Sequence, residues 1–134
     1  MEVLVDHLGE VQFEITARNH KIISDQPTGS GGYDGGMTPP ELMLASLGAC
    51  AGYYAAQYLR TRGLSVAGIR IRVTAEKAKA PARLADFGIR VELPAPLDEH
   101  HTAGLLRAVE SCLIRNTLLT LPAIHTEIAA LVTA

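Results

Sequence analysis

The sequence predicts an α+β fold in which antiparallel strands pack against a long buried central helix. Three observations predict it. Apolar and polar residues alternate with a period of two in residues 2–25 and again in residues 66–77 and 84–93. The stretch Leu42–Leu59 contains no charged side chain and opens on a helix-start signature. A second segment with helical apolar spacing follows Asp98. The expected order is β-β-β-α-β-β-α-β, in one domain spanning residues 1–134, a length ordinary for a single domain.

In the first strands, Val11, Phe13 and Ile15 alternate with Gln12, Glu14 and Thr16. Asn19 and His20 form a turn, and Lys21 to Asp25 return. Residues 26–40 then change to Gly, Pro, Ser and Thr. This run exceeds the usual connection length, and such long connections are often mobile or functional. It matches neither G-x-x-x-x-G-K-[ST] nor G-x-G-x-x-G, so it is read as a flexible connection or a lid rather than a phosphate cradle, and no cofactor is expected.

Thr38 is the expected N-cap of the central helix, with Pro39 and Pro40 in its first turn and Glu41 near its positive end. The helix should run to about Arg62 and stop at Gly63. Its length permits a membrane span, but Ser46, Gly48, Gly52, Gln57 and many alanines keep its hydrophobicity modest, so a membrane role is rejected. It should instead be buried on nearly all sides. A domain of this size covers such a helix with difficulty. A homodimer is therefore expected, with Ala45, Gly48, Ala49, Ala51, Gly52, Ala55 and Ala56 allowing close helix approach.

Ile69, Ile71 and Val73 form the inward face of one later strand, and Phe87, Ile89, Val91 and Leu93 that of the next. Their outer faces carry Arg70 and Arg72 opposite Arg90 and Glu92, an arrangement suited to cross-strand charge pairing. Asp98 should cap a helix over 99–116, with Leu105, Leu106, Val109, Cys112 and Leu113 on its apolar stripe and Asn116 as C-cap. A last strand is expected at Ile124–Ile128.

Composition narrows the function. Lys plus Arg number 12 and Asp plus Glu 14, with no long run of one sign, which argues against nucleic-acid binding. Met1–Asp6 does not read as a signal peptide, and two cysteines do not make a disulfide-dense secreted scaffold, so a cytoplasmic setting with reduced thiols is the default.

The two cysteines carry the chemistry. Read singly, each fits a buried cysteine acting as a small hydrophobe. A reactive Cys50 requires a lowered pKa. It lies about nine residues into its helix, beyond the reach of that helix's terminal field, so a cation is expected beside it. Glu41 falls on the opposite face, roughly 13 Å along the axis, and acts only by holding such a cation. Arg18, beside the Asn19–His20 turn, is the candidate. Met43 and Leu47 before Cys50, and Tyr53 and Tyr54 after it, give an apolar neighbourhood for a small substrate or ligand. The five histidines form no ligand pattern, C-x-x-C is absent, and no metal is expected. No G-x-S-x-G nucleophile elbow is present.

The stretch Gly35–Cys50, with its Thr38-Pro39-Pro40-Glu41-Leu42-Met43-Leu44 opening and Leu47-Gly48-Ala49-Cys50 close, resembles the signature of the OsmC/Ohr family of osmotically induced and organic hydroperoxide resistance proteins. Glu110-Ser111-Cys112 resembles its second-cysteine segment, although Leu113 stands where the family often has Pro. The nine-residue spacing from Glu41 to Cys50 resembles the OsmC-like branch. The resemblance implies an intertwined homodimer and reduction of organic hydroperoxides. Cys50 would be the peroxidatic cysteine and Cys112 the resolving one, with a dithiol as reductant. It further implies that Arg18 stabilises the thiolate and Glu41 positions Arg18. The competing readings are a dimer that binds a small hydrophobic ligand without catalysis, and a redox sensor.

Overall fold

The computed structural model describes residues 1–131. Strands β1 (Leu4–Gly9), β2 (Gln12–Ala17) and β3 (His20–Ser24) form an antiparallel sheet in that order. Helix α1 runs from Pro39 to Thr61. Strands β4 (Arg70–Ala78) and β5 (Arg83–Glu92) form a second antiparallel sheet, and helices α2 (Glu99–Glu110) and α3 (Leu113–Leu119) follow. The fold is thus α+β, as the periodicities predict, with two sheets.

The β2–β3 turn centres on Arg18 and Asn19, between the paired residues Ala17 and His20. Arg18 takes φ 54° there, a left-handed conformation that ordinary residues adopt at a cost. On the second sheet, Arg72 Nε donates to Glu92 Oε1 at 2.9 Å, so the expected cross-strand charge pair forms.

The connection before α1 is more organised than its composition suggests. Asp25 is almost fully buried. Its carboxylate accepts from the Gln26 amide at 2.8 Å, Gln12 Nε2 at 3.0 Å, the Gly35 amide at 3.0 Å and the Tyr33 amide at 3.1 Å. A side chain at Gly36 would strike the Ile23 carbonyl and one at Gly32 the Gln26 carbonyl, so this wrap requires glycine at both. Ser24 Oγ and the Asp25 amide both donate to Met37 O, at 3.0 and 3.3 Å. These bonds deliver the chain to Thr38, the N-cap of α1. Thr38 Oγ1 accepts from the Glu41 amide, while Glu41 Oε1 accepts from the Thr38 amide at 2.9 Å, closing a capping box.

Only one stripe of α1 is buried within the chain: Leu47, Ala51, Ala55, Tyr58 and Leu59. It packs on β4, β5 and α2 through Leu105, Val109, Ile71 and Val91. Gly48 and Gly52 let Val73 and Ile71 approach the helix backbone. Tyr58 Oη lies 3.2 Å from His101 Nδ1, fastening α1 to α2, and the guanidinium of Arg62, the C-cap of α1, sits 3.8 Å above the Tyr58 ring. The opposite face of α1 is exposed, Tyr53 at 61%. Burial on nearly all sides is therefore not achieved by one chain.

Two expectations are corrected. The helix predicted over 99–116 breaks at Ser111 and Cys112, residue types of low helix propensity, and Asn116 lies inside α3 rather than capping α2. The strand expected at Ile124–Ile128 does not form. Residues 121–131 carry no regular structure and are exposed, because no strand edge within the described residues pairs with them.

Burial pushes the Asp25 carboxyl up, but the bonds from Gln26, Gly35, Gln12 and Tyr33 outweigh it and hold the group below its ordinary value. A depressed carboxyl contributes stability above its unfolded pKa of about 3.9 and loses it as pH falls through the folded value. Asp25→Asn should accordingly flatten the acid limb of the stability profile below about pH 4. Denaturant melts of both proteins between neutral and acidic pH will check this; parallel acid limbs would refute it.

Candidate active site

Cys50 lies half-buried in the middle of α1, and Cys112 is fully buried at the α2–α3 break. Both are free thiols. Cys112 has an extended backbone, φ −56° and ψ 128°, and its Sγ accepts from the Arg115 amide at 3.5 Å. Sulfur thus takes the place of the usual capping oxygen at the start of α3. α3 packs against α1, and this places the Cys112 side chain and the Leu113 and Ile114 amides near Cys50.

The two thiols are shifted in opposite directions. Burial pushes Cys50 up, but hydrogen bonds from Cys112, Ile114 N–H and Leu113 N–H outweigh it and hold the thiol below its ordinary value. Burial pushes Cys112 up, and donating its proton to Cys50 holds it there, against the opposing Arg115 and Ile114 amides. Cys50 therefore ionises first, and it is the more exposed of the two. Within this chain the groups that favour the Cys50 thiolate are the Cys112 thiol first and then the Ile114 and Leu113 amides, which are free to turn to it because the second helix breaks. No sequence motif marks them.

The other expected site residues divide. Met43 and Leu47 line an open cavity of about 760 Å³ with Leu84, Phe87, Ile89, Leu118, Leu119 and Leu121, and with Arg83 and Arg115. Tyr53 and Tyr54 do not line it. Tyr53 faces a hollow beside Arg60, and Tyr54 faces one beside Ser111 and Leu113. Arg18 is exposed at the β2–β3 turn and makes no salt bridge among the described residues. Glu41 is engaged with Thr38, whose amide and hydroxyl hydrogen bonds hold its carboxyl below the ordinary value. The structure does not bring Arg18 and Glu41 together within one chain. Among the described residues, no group of three His, Cys, Asp or Glu is placed to hold a metal, and no helix is long and apolar enough to cross a membrane.

A family model described as OsmC-like protein matches residues 30–127. The chain belongs to the OsmC-like family. A Mycoplasma pneumoniae OsmC-like protein shares the fold with a TM-score of 0.76, at 17% identity over 90% of this chain and 87% of that one. An organic hydroperoxide resistance protein OsmC from Legionella pneumophila gives 0.61, at 18% identity over 88% and 89%. An OsmC-like hydroperoxide resistance protein from Jannaschia sp. CCS1 gives 0.57, at 18% identity over 94% and 89%. At these identities the likeness is one of fold. No curated protein gives a significant match.

Leu113 gives this OsmC-like chain an amide that a proline could not provide. Proline is tolerated in the first turn of a helix, so Leu113→Pro should preserve α3 while removing one donor to Cys50. The pH midpoint for iodoacetamide alkylation of Cys50 is expected below the ordinary thiol value in the parent and higher in Leu113→Pro and in Cys112→Ala. Unchanged midpoints in both variants would show that these donors do not set the Cys50 ionisation.

Proposed function

We propose that the chain reduces organic hydroperoxides by thiol chemistry, with Cys50 as the attacking cysteine and Cys112 as the resolving one. The observation that carries this reading is the placement of two free thiols next to each other, Cys50 half-buried on α1 and Cys112 buried at the α2–α3 break, with Cys50 favoured as the one to ionise. The names of the Legionella and Jannaschia neighbours support it.

The Cys50 thiolate attacks the distal peroxide oxygen. An S–O bond forms, the O–O bond breaks, and the alkoxide leaves and takes a proton to become the alcohol. Cys50 is left as a sulfenic acid. The Cys112 sulfur then displaces its hydroxyl as water, giving a disulfide. A dithiol returns both residues to thiols by exchange, supplying two electrons. A reducing cytoplasmic setting would keep the pair ready between turnovers. Met43 and Leu47 would face the apolar body of the substrate.

The working unit in this reading is a homodimer. The three-stranded sheet leaves Leu4 and Val5 more than half exposed, and Ile124, Ile128 and Leu131 stand in solvent on a segment without strand partners. A second copy would cover these surfaces and the open face of α1. Arg18, at the tip of that sheet, is assigned to the thiolate of the other copy, with Glu41 as its positioning partner. A non-catalytic ligand carrier, the second reading, draws on the same cavity but requires an inert Cys50.

With dithiothreitol as reductant, Cys50→Ser should lower consumption of cumene hydroperoxide at least about a hundredfold. Without reductant, Cys112→Ser should consume one equivalent and leave a sulfenic acid that dimedone traps. Full turnover by Cys50→Ser would overturn the assignment. In sedimentation the protein should run at twice 14.3 kDa. A variant lacking residues 121–134 should shift toward the single-chain mass; monomeric parent protein would remove the dimer.

A further inference from the structure

Helices α2 and α3 meet end to end with only Ser111 and Cys112 between them. The approach of Cys112 to Cys50 depends on the angle at that joint. Several bonds hold Cys112 to one helix or the other. On the α2 side, the Ser111 amide donates to Ala108 O at 3.1 Å and the Cys112 amide to Val109 O at 3.2 Å. Ser111 Oγ also turns back onto α2, donating to Arg107 O at 3.0 Å. On the α3 side, the Asn116 amide donates to Cys112 O at 3.0 Å. None of these bonds reaches past Cys112 from one helix to the other, so none sets the angle between them. Arg115 does reach across. Its Nη1 donates to the carbonyl of Glu110, the last residue of α2, at 3.1 Å. Its amide donates to Cys112 Sγ at 3.5 Å. Among the described residues, no other side chain of α3 is hydrogen-bonded to α2.

The Glu110 carbonyl is one of those that a helix end leaves without an intrahelical partner, and a guanidinium is a strong donor to it. From this we propose that Arg115 is a positioning residue for the thiol pair. Through its side chain it holds the end of α2, and through its amide it holds the Cys112 sulfur. It thereby sets the angle at which α3 begins, and with it the approach of Cys112 and the Leu113 and Ile114 amides to Cys50. Arg115 acts through these groups and not by its own charge, because the groups that hold the Cys50 thiol down are Cys112 and the Ile114 and Leu113 amides. The inference rests on the hydroperoxide reading for the resolving step. The alignment of the two thiols stands without that reading.

The test compares the full-length protein with Arg115→Met, which loses the donor, and Arg115→Lys, whose ammonium can still bond Glu110 O. The pH midpoint for iodoacetamide alkylation of Cys50, read from the mass of its peptide, should rise by about half a pH unit or more in Arg115→Met. It should return toward the parent value in Arg115→Lys. One equivalent of cumene hydroperoxide is then added without reductant, at a pH above both midpoints. Cys50 in Arg115→Met should be oxidised within about twofold of the parent rate, while the disulfide forms at least about tenfold more slowly and dimedone traps the sulfenic acid. A side chain that served stability alone would lower the melting temperature and move neither the midpoint nor the split between the two steps. If Arg115→Met does not fold by circular dichroism, Arg115→Gln, too short to bond Glu110 O, carries the same expectations. A parent-like midpoint, a parent-like rate of disulfide formation, equal slowing of both steps, or an Arg115→Lys that behaves as Arg115→Met would overturn the proposal. The alkylation uses no peroxide, so a chain that consumes no hydroperoxide but whose midpoint rises in Arg115→Met loses the enzymatic reading and keeps the positioning role. An active chain whose midpoint does not move does the reverse.

Discussion

Cys112 meets Cys50 at a point where one helix has stopped and another has just begun, and the properties of the thiol pair follow from that meeting. Had α2 continued through residues 111–116, the amides of Leu113 and Ile114 would be bonded to the carbonyls of Val109 and Glu110, four residues back. Broken where it is, the chain leaves those donors free of intrahelical partners. The Cys112 sulfur accepts from Arg115, and the next two amides turn to Cys50. The break therefore buries the Cys112 sulfur and places donors beside Cys50.

The rest of the fold holds α1 in register for that meeting. Asp25 gathers the glycine-rich connection and leads it to the capping box that starts the helix. At the other end, Tyr58 is clamped between His101 and Arg62. Gly48 and Gly52 bring the helix close to β4, so the stripe carrying Leu47, Ala51 and Ala55 is fixed against a sheet. The opposite stripe, the first sheet and residues 121–131 present apolar side chains to solvent on a scale that a stable lone chain seldom shows. In the proposed dimer these are one surface, and the expected all-round burial of α1 belongs to the pair.

Much of this was legible in the amino-acid order. Period-two alternation located both sheets, and Thr38 with Glu41 located the start of α1 to the residue. The break at Ser111–Cys112 was not legible, because Leu105, Val109, Cys112 and Leu113 keep helical spacing across it. Periodicity reports which face is apolar, and it is silent on whether the backbone bonds continue. The terminal strand failed for a related reason: Ile124, Thr126 and Ile128 alternate correctly, but a strand needs an edge to pair with, and within the described residues this segment lies on none of the open edges of the two sheets.

The nature of the activating groups has a consequence for the chemistry. A cation beside a thiolate acts by net charge, and its influence weakens as salt screens it or as it swings into solvent. Backbone amides act by fixed dipoles at hydrogen-bonding distance, with no freedom to leave and little sensitivity to ionic strength. Together with the Cys112 thiol, the larger contributor, they lower the Cys50 pKa even against burial, which alone would raise it. The same burial raises Cys112, and the proton shared between the two sulfurs makes the shifts reciprocal. In the proposed reaction, oxidation of Cys50 to a sulfenic acid would remove the anion beside Cys112, and the opposite shifts favour the proposed order, attack by Cys50 first and resolution by Cys112 second. In the proposed dimer, Arg18 of the second copy would add charge to an order that the amides already set.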